Sequence, residues 1–164
     1  MPFTYEYPRP SVTVDVVLFT IREGELALLM IRRKNPPFKG HWALPGGFVD
    51  ENESLEHAAA RELREETGVR QTALAQLGAF GDPGRDPRGH TVSVAFYAVV
   101  PSPKRAVAAD DAAEARWVAI SDLARSDVAF DHTKIIALAL ERLRRDLSEA
   151  RRASAGAGKK RKKK

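Results

Sequence analysis

Short segments of alternating apolar and polar residues recur along this chain, a pattern typical of β-strands with one buried face. Residues 11–20 and 25–32 are rich in β-branched and other apolar residues, and a short polar turn joins them, so they predict a β-hairpin. Further strands are predicted at residues 41–49, 71–80, 91–100 and 115–120. These strands lie on both sides of one longer segment that lacks strand periodicity.

That longer segment and the last long segment carry helical patterns. Ser54 is a candidate N-cap and Gly68 a candidate C-cap, which predicts a helix of about four turns between them. Residues 132–150 form an amphipathic pattern with Ile135 and Leu143 among the apolar positions. Because strands, a helix, more strands and a final helix follow one another, we predict the α/β class, with a mixed β-sheet covered on both faces.

Length and composition indicate an ordinary globular domain. The 164 residues, 43% of them hydrophobic, suit one folded domain, which we place at residues 1–150. No apolar run reaches the ~20 residues needed to span a bilayer, and the N-terminal residues lack a signal-peptide pattern, so we expect a cytoplasmic protein with no membrane partner.

The absence of cysteine excludes disulfides, thiolate catalysis and cysteine-ligated metal sites. Oxygen or imidazole ligands must therefore hold any metal ion. This ligand preference favours Mg²⁺, with Mn²⁺ as an alternative.

The net charge of +5 comes from the end of the chain. Residues 151–164 hold eight of the 27 basic residues and none of the 22 acidic ones, so residues 1–150 have 19 basic residues against 22 acidic ones, a net charge of −3. A spacer of Gly, Ala and Ser leading into a block of like charges predicts a disordered basic tail. We expect a solvated tail, with weak contact to nucleic-acid phosphates as the alternative.

The predicted first helix brings carboxylates together. On a helix that turns ~100° per residue, Glu62, Glu65 and Glu66 share one face. Neighbouring carboxylates repel each other, and a bound divalent cation removes that repulsion. Arg61 lies four residues before Glu65 and is placed to pair with it, while Glu53 approaches from the loop before the helix. The alternative interpretation is a solvated acidic helix with ordinary ion pairs.

This stretch resembles the Nudix box at every defined position, which here are Gly47, Glu53, Arg61, Glu62, Leu63, Glu65, Glu66, Gly68 and Val69. The resemblance implies an α/β/α sandwich and a hydrolase that cleaves a nucleoside diphosphate linked to another moiety. By position, Glu62 and Glu66 match the principal metal ligands. Glu65 matches a third ligand or the proton acceptor, and a carbonyl of the glycine turn, assigned to Gly46, commonly adds a further ligand.

The resemblance also assigns supporting roles. Glu53 supports the catalytic site together with Glu65. Arg61 orients the carboxylates rather than binding substrate. Many Nudix hydrolases take their general base from a loop outside the box. Candidates for that base in this chain are Glu114, Asp110 and Asp111.

Outside the box, three segments resemble the ADP-ribose pyrophosphatase branch of the family and the related domain of Nudix regulators of NAD metabolism. These segments are residues 34–45, 81–90 and 130–136. With the box, the resemblance covers roughly residues 10–145. It implies a nucleoside diphosphate as the small-molecule partner.

Candidate substrate-binding residues lie in these segments and in the turn. Arg85 and Arg88 could supply forked donors to a diphosphate, with local pairing to aspartates as the alternative. His132 could stack on or hydrogen-bond a base or ribose, although a histidine at a helix start is often a cap or a packing residue. The rings of Trp42, Phe48 and Phe130 could stack on adenine or pack in the core.

The leading hypothesis from the sequence is Mg²⁺-dependent hydrolysis of ADP-ribose to AMP and ribose 5-phosphate. An alternative is a pyrophosphohydrolase that acts on damaged nucleoside triphosphates or on RNA 5′ ends. A hypothesis of another class is a non-catalytic sensor that binds ADP-ribose and controls transcription. Such a regulator needs a DNA-reading domain, and we expect none after residue 145. A homodimer is compatible with any of these hypotheses.

Overall fold

The structure is a computed structural model that describes residues 4–71, 73–109 and 111–161, with side chains as far as residue 155. Within these residues the chain forms seven strands and three helices. In chain order they are β1 (Ser11–Arg22), β2 (Glu25–Arg33), β3 (Trp42–Ala43), β4 (Gly46–Phe48), α1 (Leu55–Thr67), β5 (Ala75–Phe80), β6 (Thr91–Val99), β7 (Ala112–Ala119), α2 (Ile120–Leu123) and α3 (His132–Arg161).

Strand β1 is the centre of the sheet. It pairs antiparallel with β2 and β4 and parallel with β6, while β5 adds to β6 and both β3 and β7 add to β2. Because neighbours and helices cover it, β1 is buried over eight consecutive residues and reads as a nearly continuous apolar run. The mixed sheet predicted from the sequence is confirmed.

The two faces of the sheet carry separate apolar layers. Successive residues of β1 point to opposite faces, so Val16 and Leu18 pack toward α1 while Val17 and Phe19 pack toward α3. On the first face the helix contributes Ala58, Ala59 and Leu63. On the second face α3 contributes Ile135, Ile136, Ala139 and Leu143. The result is an α/β/α sandwich, as the resemblance implies.

Helix α1 begins and ends as its sequence predicts. The Ser54 side chain accepts a hydrogen bond from the His57 amide at 3.2 Å, which caps the N-terminus. Gly68 ends the helix with φ of 69°, a left-handed conformation that glycine adopts without a Cβ clash. Helix α1 is thereby fixed over the sheet edge where β4 ends.

Several element boundaries differ from the sequence prediction, among them the start of β7 at Ala112 rather than at Ala115. The strand expected at residues 41–49 is divided into β3 and β4 by Leu44 and Pro45, because proline has no amide hydrogen to donate to a ladder. Strand β5 begins at Ala75 rather than at residue 71.

Helix α3 continues to Arg161, beyond the predicted end at Ala150. Residues 151–161 are therefore helical where a disordered tail was predicted, and residues 162–164 lie outside the described part of the chain. Alanine favours helix strongly, and cationic residues near a helix C-terminus interact favourably with the helix dipole. Among the described helices none is both long and apolar enough to cross a lipid bilayer.

The layer between α1 and the sheet makes a testable contribution to stability. Leu63 is fully buried, whereas Leu147 on α3 is 57% exposed. Replacing Leu63 by alanine should lower the free energy of unfolding by about 2–5 kcal/mol, because it leaves a cavity in a packed layer. The matched change at Leu147 should alter it by less than ~0.5 kcal/mol, as is usual at the surface. Urea unfolding followed by circular dichroism measures both, and equal losses would contradict this assignment of the core.

Candidate functional site

A cleft of about 280 Å³ opens where β1, β4 and α1 meet. Acidic and basic side chains from several elements face the same space. The lining residues are Thr13, Asp15, Ile31, Arg33, Asn35, Leu44, Gly46, Gly47, Phe48, Asp50, Glu62, Glu66, Arg85, Asp86, Arg88, Asp111, Phe130 and His132. The lining therefore combines carboxylates for a cation with guanidinium groups for an anion.

Arg61 connects the acidic residues of α1 to the preceding loop. Its Nε and Nη2 each donate to the Glu53 carboxylate at 2.8 Å, and Nη1 donates to Glu62 at 2.7 Å and to Glu65 at 3.1 Å. The hydrogen bond from Arg61 holds the pKa of Glu53 at about 2, and the bond with Glu53 raises the pKa of Arg61. Arg61 therefore fixes the carboxylates and neutralises part of their charge, as predicted.

Glu66 is a buried carboxylate at the floor of the cleft. Glu66 is only 6% exposed, and the Gly46 amide donates to its side-chain Oε2 at 2.9 Å. Burial raises the pKa of Glu66 to about 8, and the charges of Glu62 and Asp15 add to the effect. Burial also raises the pKa of Glu62. A cation placed beside these carboxylates would stabilise their ionised forms.

The glycine turn comes so close to these carboxylates that it tolerates no side chain. A Cβ on Gly47 would lie 2.5 Å from Cδ of Glu62, and a Cβ on Gly46 would lie 2.1 Å from the Val14 carbonyl oxygen. The Gly47 backbone therefore lies directly against the Glu62 carboxylate at the acidic side of the cleft.

The described side chains contain no ready group of three or more His, Asp or Glu residues arranged around a metal ion. This finding is compatible with Mg²⁺, which commonly takes one or two protein carboxylates and fills its remaining positions with water and phosphate oxygens. Glu62, Glu66 and the Gly46 turn fit that requirement.

The three predicted catalytic residues, Glu53, Arg61 and Glu65, lie outside the cleft lining. Glu65 is bound by Arg61 and by Arg64, each at 3.1 Å, because it lies ~100° around the helix from Glu66. Glu53 accepts from Arg61 and from the Asp50 amide behind the turn. The structure therefore brings Glu62 and Glu66, but not Glu65, to the cleft.

Both predicted arginines line the cleft, and both are paired with aspartates. Arg85 forms a two-pronged ion pair with Asp131, with distances of 3.0 and 2.6 Å, and its side chain is 4% exposed. Arg88 pairs with Asp86, the closest distance being 2.7 Å, and its side chain is 40% exposed. The local pairing left open by the sequence is the arrangement observed for Arg88.

The predicted aromatic residues have different surroundings. Phe48 is exposed at the cleft, where the Arg88 guanidinium lies 4.9 Å from its ring centre. Phe130 also lines the cleft, with Arg33 and Arg88 over its ring at 4.9 and 5.4 Å. Trp42 is buried in the layer beneath α3 and does not line the cleft, so the structure does not support its predicted stacking on substrate.

His132 lines the cleft, but the protein already uses both ring nitrogens. The Leu44 amide donates to Nδ1 at 2.9 Å, and Nε2 lies 3.3 Å from Asp15. Each ring nitrogen of His132 therefore already has a partner in the protein. Neither is left for the hydrogen bond to substrate that the sequence predicts. Asp15, which the sequence analysis missed, lines the cleft in the middle of β1, and a charged residue within an apolar strand was the available signal.

The candidates for a general base outside α1 differ in their position relative to the cleft. Asp111 lines the cleft, where the Asn35 side chain donates to it at 2.9 Å. Glu114 lies outside the lining, near Arg32 and Arg116. Asp110 lies outside the described residues. Of the two candidates that the structure describes, Asp111 is the one placed to contact a molecule in the cleft.

Comparison with known proteins finds a family model and several relatives that are similar to this chain. The family model for the NUDIX domain matches residues 9–139. The chain is 44% identical over 130 residues to the ADP-ribose pyrophosphatase of Methanocaldococcus jannaschii, which covers 79% of this chain and 73% of that protein. It is 37% identical over 140 residues to the ADPR responsive transcriptional repressor NtrR of Acinetobacter baylyi, which covers 84% of this chain. The chain spans 56% of that repressor's length.

Two solved structures of related proteins are also similar to this chain. The NUDIX domain of Shewanella oneidensis NrtR complexed with ADP ribose superposes with a TM-score of 0.79 at 37% identity, covering 84% of this chain and 90% of that one. The bifunctional NMN adenylyltransferase/ADP ribose pyrophosphatase of Francisella tularensis, complexed with AMP and a Mn ion, gives a TM-score of 0.76 at 34% identity, covering 84% and 43%.

The buried Glu66 predicts a pH-dependent stability in metal-free protein. Its pKa is about 8 in the folded chain and ~4.3 for an unfolded glutamate, so the folded state binds this proton more tightly. The resulting stabilisation is complete below ~pH 4.3 and is lost as pH rises through about 8. Urea unfolding in chelator should show stability falling over this range.

Glu66→Gln should remove that fall, because glutamine does not titrate. Glu56→Gln changes an exposed residue of the same helix and should leave the fall in place. An unchanged pH dependence in Glu66→Gln would contradict the assignment.

Proposed function

Because the chain belongs to the NUDIX domain family, we propose that it hydrolyses the diphosphate of ADP-ribose, or of a related nucleoside diphosphate sugar, to AMP and a sugar phosphate. One observation carries the proposal. Two carboxylates, the buried Glu66 and the half-buried Glu62, face a cleft that also contains the guanidinium groups of Arg33 and Arg88. A diphosphate held through a cation on one side and through arginines on the other satisfies both sets of charges.

The acidic side of the cleft supports a divalent-metal cofactor, which we assign as Mg²⁺ with Mn²⁺ as the alternative. Glu62, Glu66 and the Gly46 turn are the groups that would hold it. When bound, such an ion neutralises the diphosphate and lowers the pKa of a coordinated water. The Mn ion in the Francisella tularensis relative supports this assignment.

Two sets of hydrogen bonds hold the carboxylates on the acidic side of the cleft in place. Arg61 holds Glu62 at 2.7 Å and shares its charge with Glu53, so the carboxylate facing the cleft is fixed before substrate arrives. The Gly46 amide holds Glu66 in the same way. Preorganised charges of this kind cost no reorganisation during the reaction.

The basic and aromatic side supplies substrate recognition. Arg88 lies over both Phe48 and Phe130, where a forked donor and two ring faces meet. A phosphate oxygen can replace Asp86 as its partner, and an adenine ring can stack on an exposed phenyl face. Asp111 is the proposed proton acceptor among the candidates outside α1, since it reaches the cleft.

A second candidate function is that of an ADP-ribose sensor. The observation that favours it is the likeness to the NUDIX domain of Shewanella oneidensis NrtR complexed with ADP ribose, of which this chain covers 90%. The ADPR responsive transcriptional repressor NtrR of Acinetobacter baylyi is also similar to this chain. A sensor requires binding of ADP-ribose and no hydrolysis. The two functions therefore share a cleft and differ in turnover.

A substrate panel tests the proposal. With Mg²⁺, the protein should convert ADP-ribose to AMP and ribose 5-phosphate, and chelator should abolish the reaction. NADH, diadenosine polyphosphates, oxidised nucleoside triphosphates and 5′-triphosphate RNA form the rest of the panel, with products separated by chromatography. Preference for a triphosphate would contradict the proposal. Tight binding of ADP-ribose without turnover would establish the sensor instead.

Replacing Glu66 tests the acidic side. Glu66→Gln should lower kcat for ADP-ribose by several orders of magnitude, because the amide cannot balance the charge of a divalent cation. The fold should survive, as shown by an unchanged circular dichroism spectrum. Glu56→Gln should retain the activity of the unaltered protein. Near-normal turnover in Glu66→Gln would remove Glu66 from the proposed metal site.

A further inference from the structure

A chain of buried polar groups runs beneath the cleft, outside the acidic motif of α1. The Leu44 amide donates to Nδ1 of His132 at 2.9 Å, and Nε2 of His132 lies 3.3 Å from Oδ1 of Asp15. The Ser93 hydroxyl donates to the other carboxylate oxygen of Asp15. Asp15, Ser93 and His132 are each at most 6% exposed. Polar groups buried this deeply are costly unless every donor and acceptor is matched.

The partners define the protonation of the histidine ring. Because the Leu44 amide donates to Nδ1, that nitrogen carries no proton. The neutral ring then has its proton on Nε2, which faces Asp15. Burial lowers the pKa of His132, which favours this neutral form.

Leu44 opens the turn that reaches the acidic residues. Pro45 follows it, and the Pro45 carbonyl accepts a hydrogen bond from Val16 at 2.8 Å. Gly46 comes next, and its amide donates to Glu66 at 2.9 Å. Since proline has no amide hydrogen, Leu44 and Gly46 are the donors at the start of this turn.

The same turn is thus held from two directions. Helix α1 holds Gly46 through Glu66, and the first residue of α3 holds Leu44 through His132. Asp15 also pairs with Gly46 in the β1–β4 ladder, so β1 supports both the turn and the ring. A change at Nδ1 of His132 leaves the buried Leu44 amide without an acceptor two residues from Gly46, and an unmatched buried donor is destabilising.

We propose that His132 is a positioning residue for the acidic site: its Nδ1 fixes the Leu44–Gly47 turn, and so holds the Gly46 amide on Glu66. Asp15 and Ser93 hold the ring in the required orientation. His132 contributes nothing by direct contact between its nitrogens and substrate. The inference rests on the proposed function only in treating this turn and Glu66 as the cation site.

Two substitutions separate the two ends of the ring. In His132→Asn the side-chain oxygen can occupy the place of Nδ1 and accept from Leu44, but no donor reaches Asp15. In His132→Gln the amide can occupy the place of Nε2 and donate to Asp15, but Leu44 loses its acceptor. If His132 acted only by filling space, both substitutions would impair the acidic site to a similar extent.

Mn²⁺ alone is the first probe, with affinity measured by electron paramagnetic resonance in the absence of substrate. His132→Gln should weaken Mn²⁺ binding by about 10-fold or more relative to His132→Asn, as is typical when a supporting partner of a metal ligand is lost. Hydrogen exchange of the Gly46 amide should be faster in His132→Gln than in His132→Asn. Equal Mn²⁺ affinity and equal exchange in the two variants would overturn the proposal.

Turnover of ADP-ribose gives a third comparison. The difference between the variants should appear in kcat, with KM nearly the same, because the turn acts on the reacting end of the cleft. If the unaltered protein does not hydrolyse ADP-ribose, the proposed function fails. The Mn²⁺ and exchange measurements still decide the role of His132 in that case.

A measurement on the unaltered protein keeps the proposal testable if either variant fails to fold. Nitrogen NMR should show His132 with an unprotonated Nδ1 and a protonated Nε2. It should also show a scalar coupling between the Leu44 amide nitrogen and Nδ1 across their hydrogen bond. A ring protonated at Nδ1 would overturn the proposal.

Discussion

Two adjacent carboxylates, the buried Glu66 and the half-buried Glu62, are the constraint on which the rest of this site depends. Glu62 and Glu66 lie one helical turn apart, and burial raises the pKa of both. An isolated buried carboxylate would be protonated rather than bear its charge. The surroundings oppose this with Arg61 on one carboxylate and the Gly46 amide on the other. These contacts compensate the negative charge of the two carboxylates only in part. A divalent cation can neutralise the charge that remains.

The fold supplies the geometry that this constraint requires. Helix α1 packs on the sheet through Ala58, Ala59 and Leu63, and Glu62 and Glu66 lie beside these residues on the same side of the helix, where they line the cleft. The short strand β4 pairs with β1 and brings the glycine turn against the helix. A side chain at Gly47 would occupy the position of the Glu62 carboxylate. The packing of α1 on the sheet therefore fixes where Glu62 and Glu66 lie in the cleft.

The sequence predicts the parts of this structure that depend on local spacing. The caps Ser54 and Gly68, the hairpin, the mixed sheet and the role of Arg61 follow from residue type and interval. The features it does not predict depend on contacts between distant segments. Asp15 and His132 are 117 positions apart in the sequence and meet only in the folded chain. Trp42 and Glu65 were assigned to the site by type and spacing, whereas their exposure and partners place them elsewhere.

Arg85 and Arg88, two of the arginines that line the cleft, are not equivalent. Arg85 is almost fully buried in a two-pronged pair with Asp131, and breaking a buried pair of this kind costs about 3–5 kcal/mol. Arg88 is 40% exposed, and Asp86 keeps a second donor, the Arg88 amide at 2.9 Å, if the guanidinium leaves. Exchange of a carboxylate for a phosphate is therefore much easier at Arg88. Arg85 shapes the cleft, and Arg88 is the arginine that can turn toward a bound diphosphate.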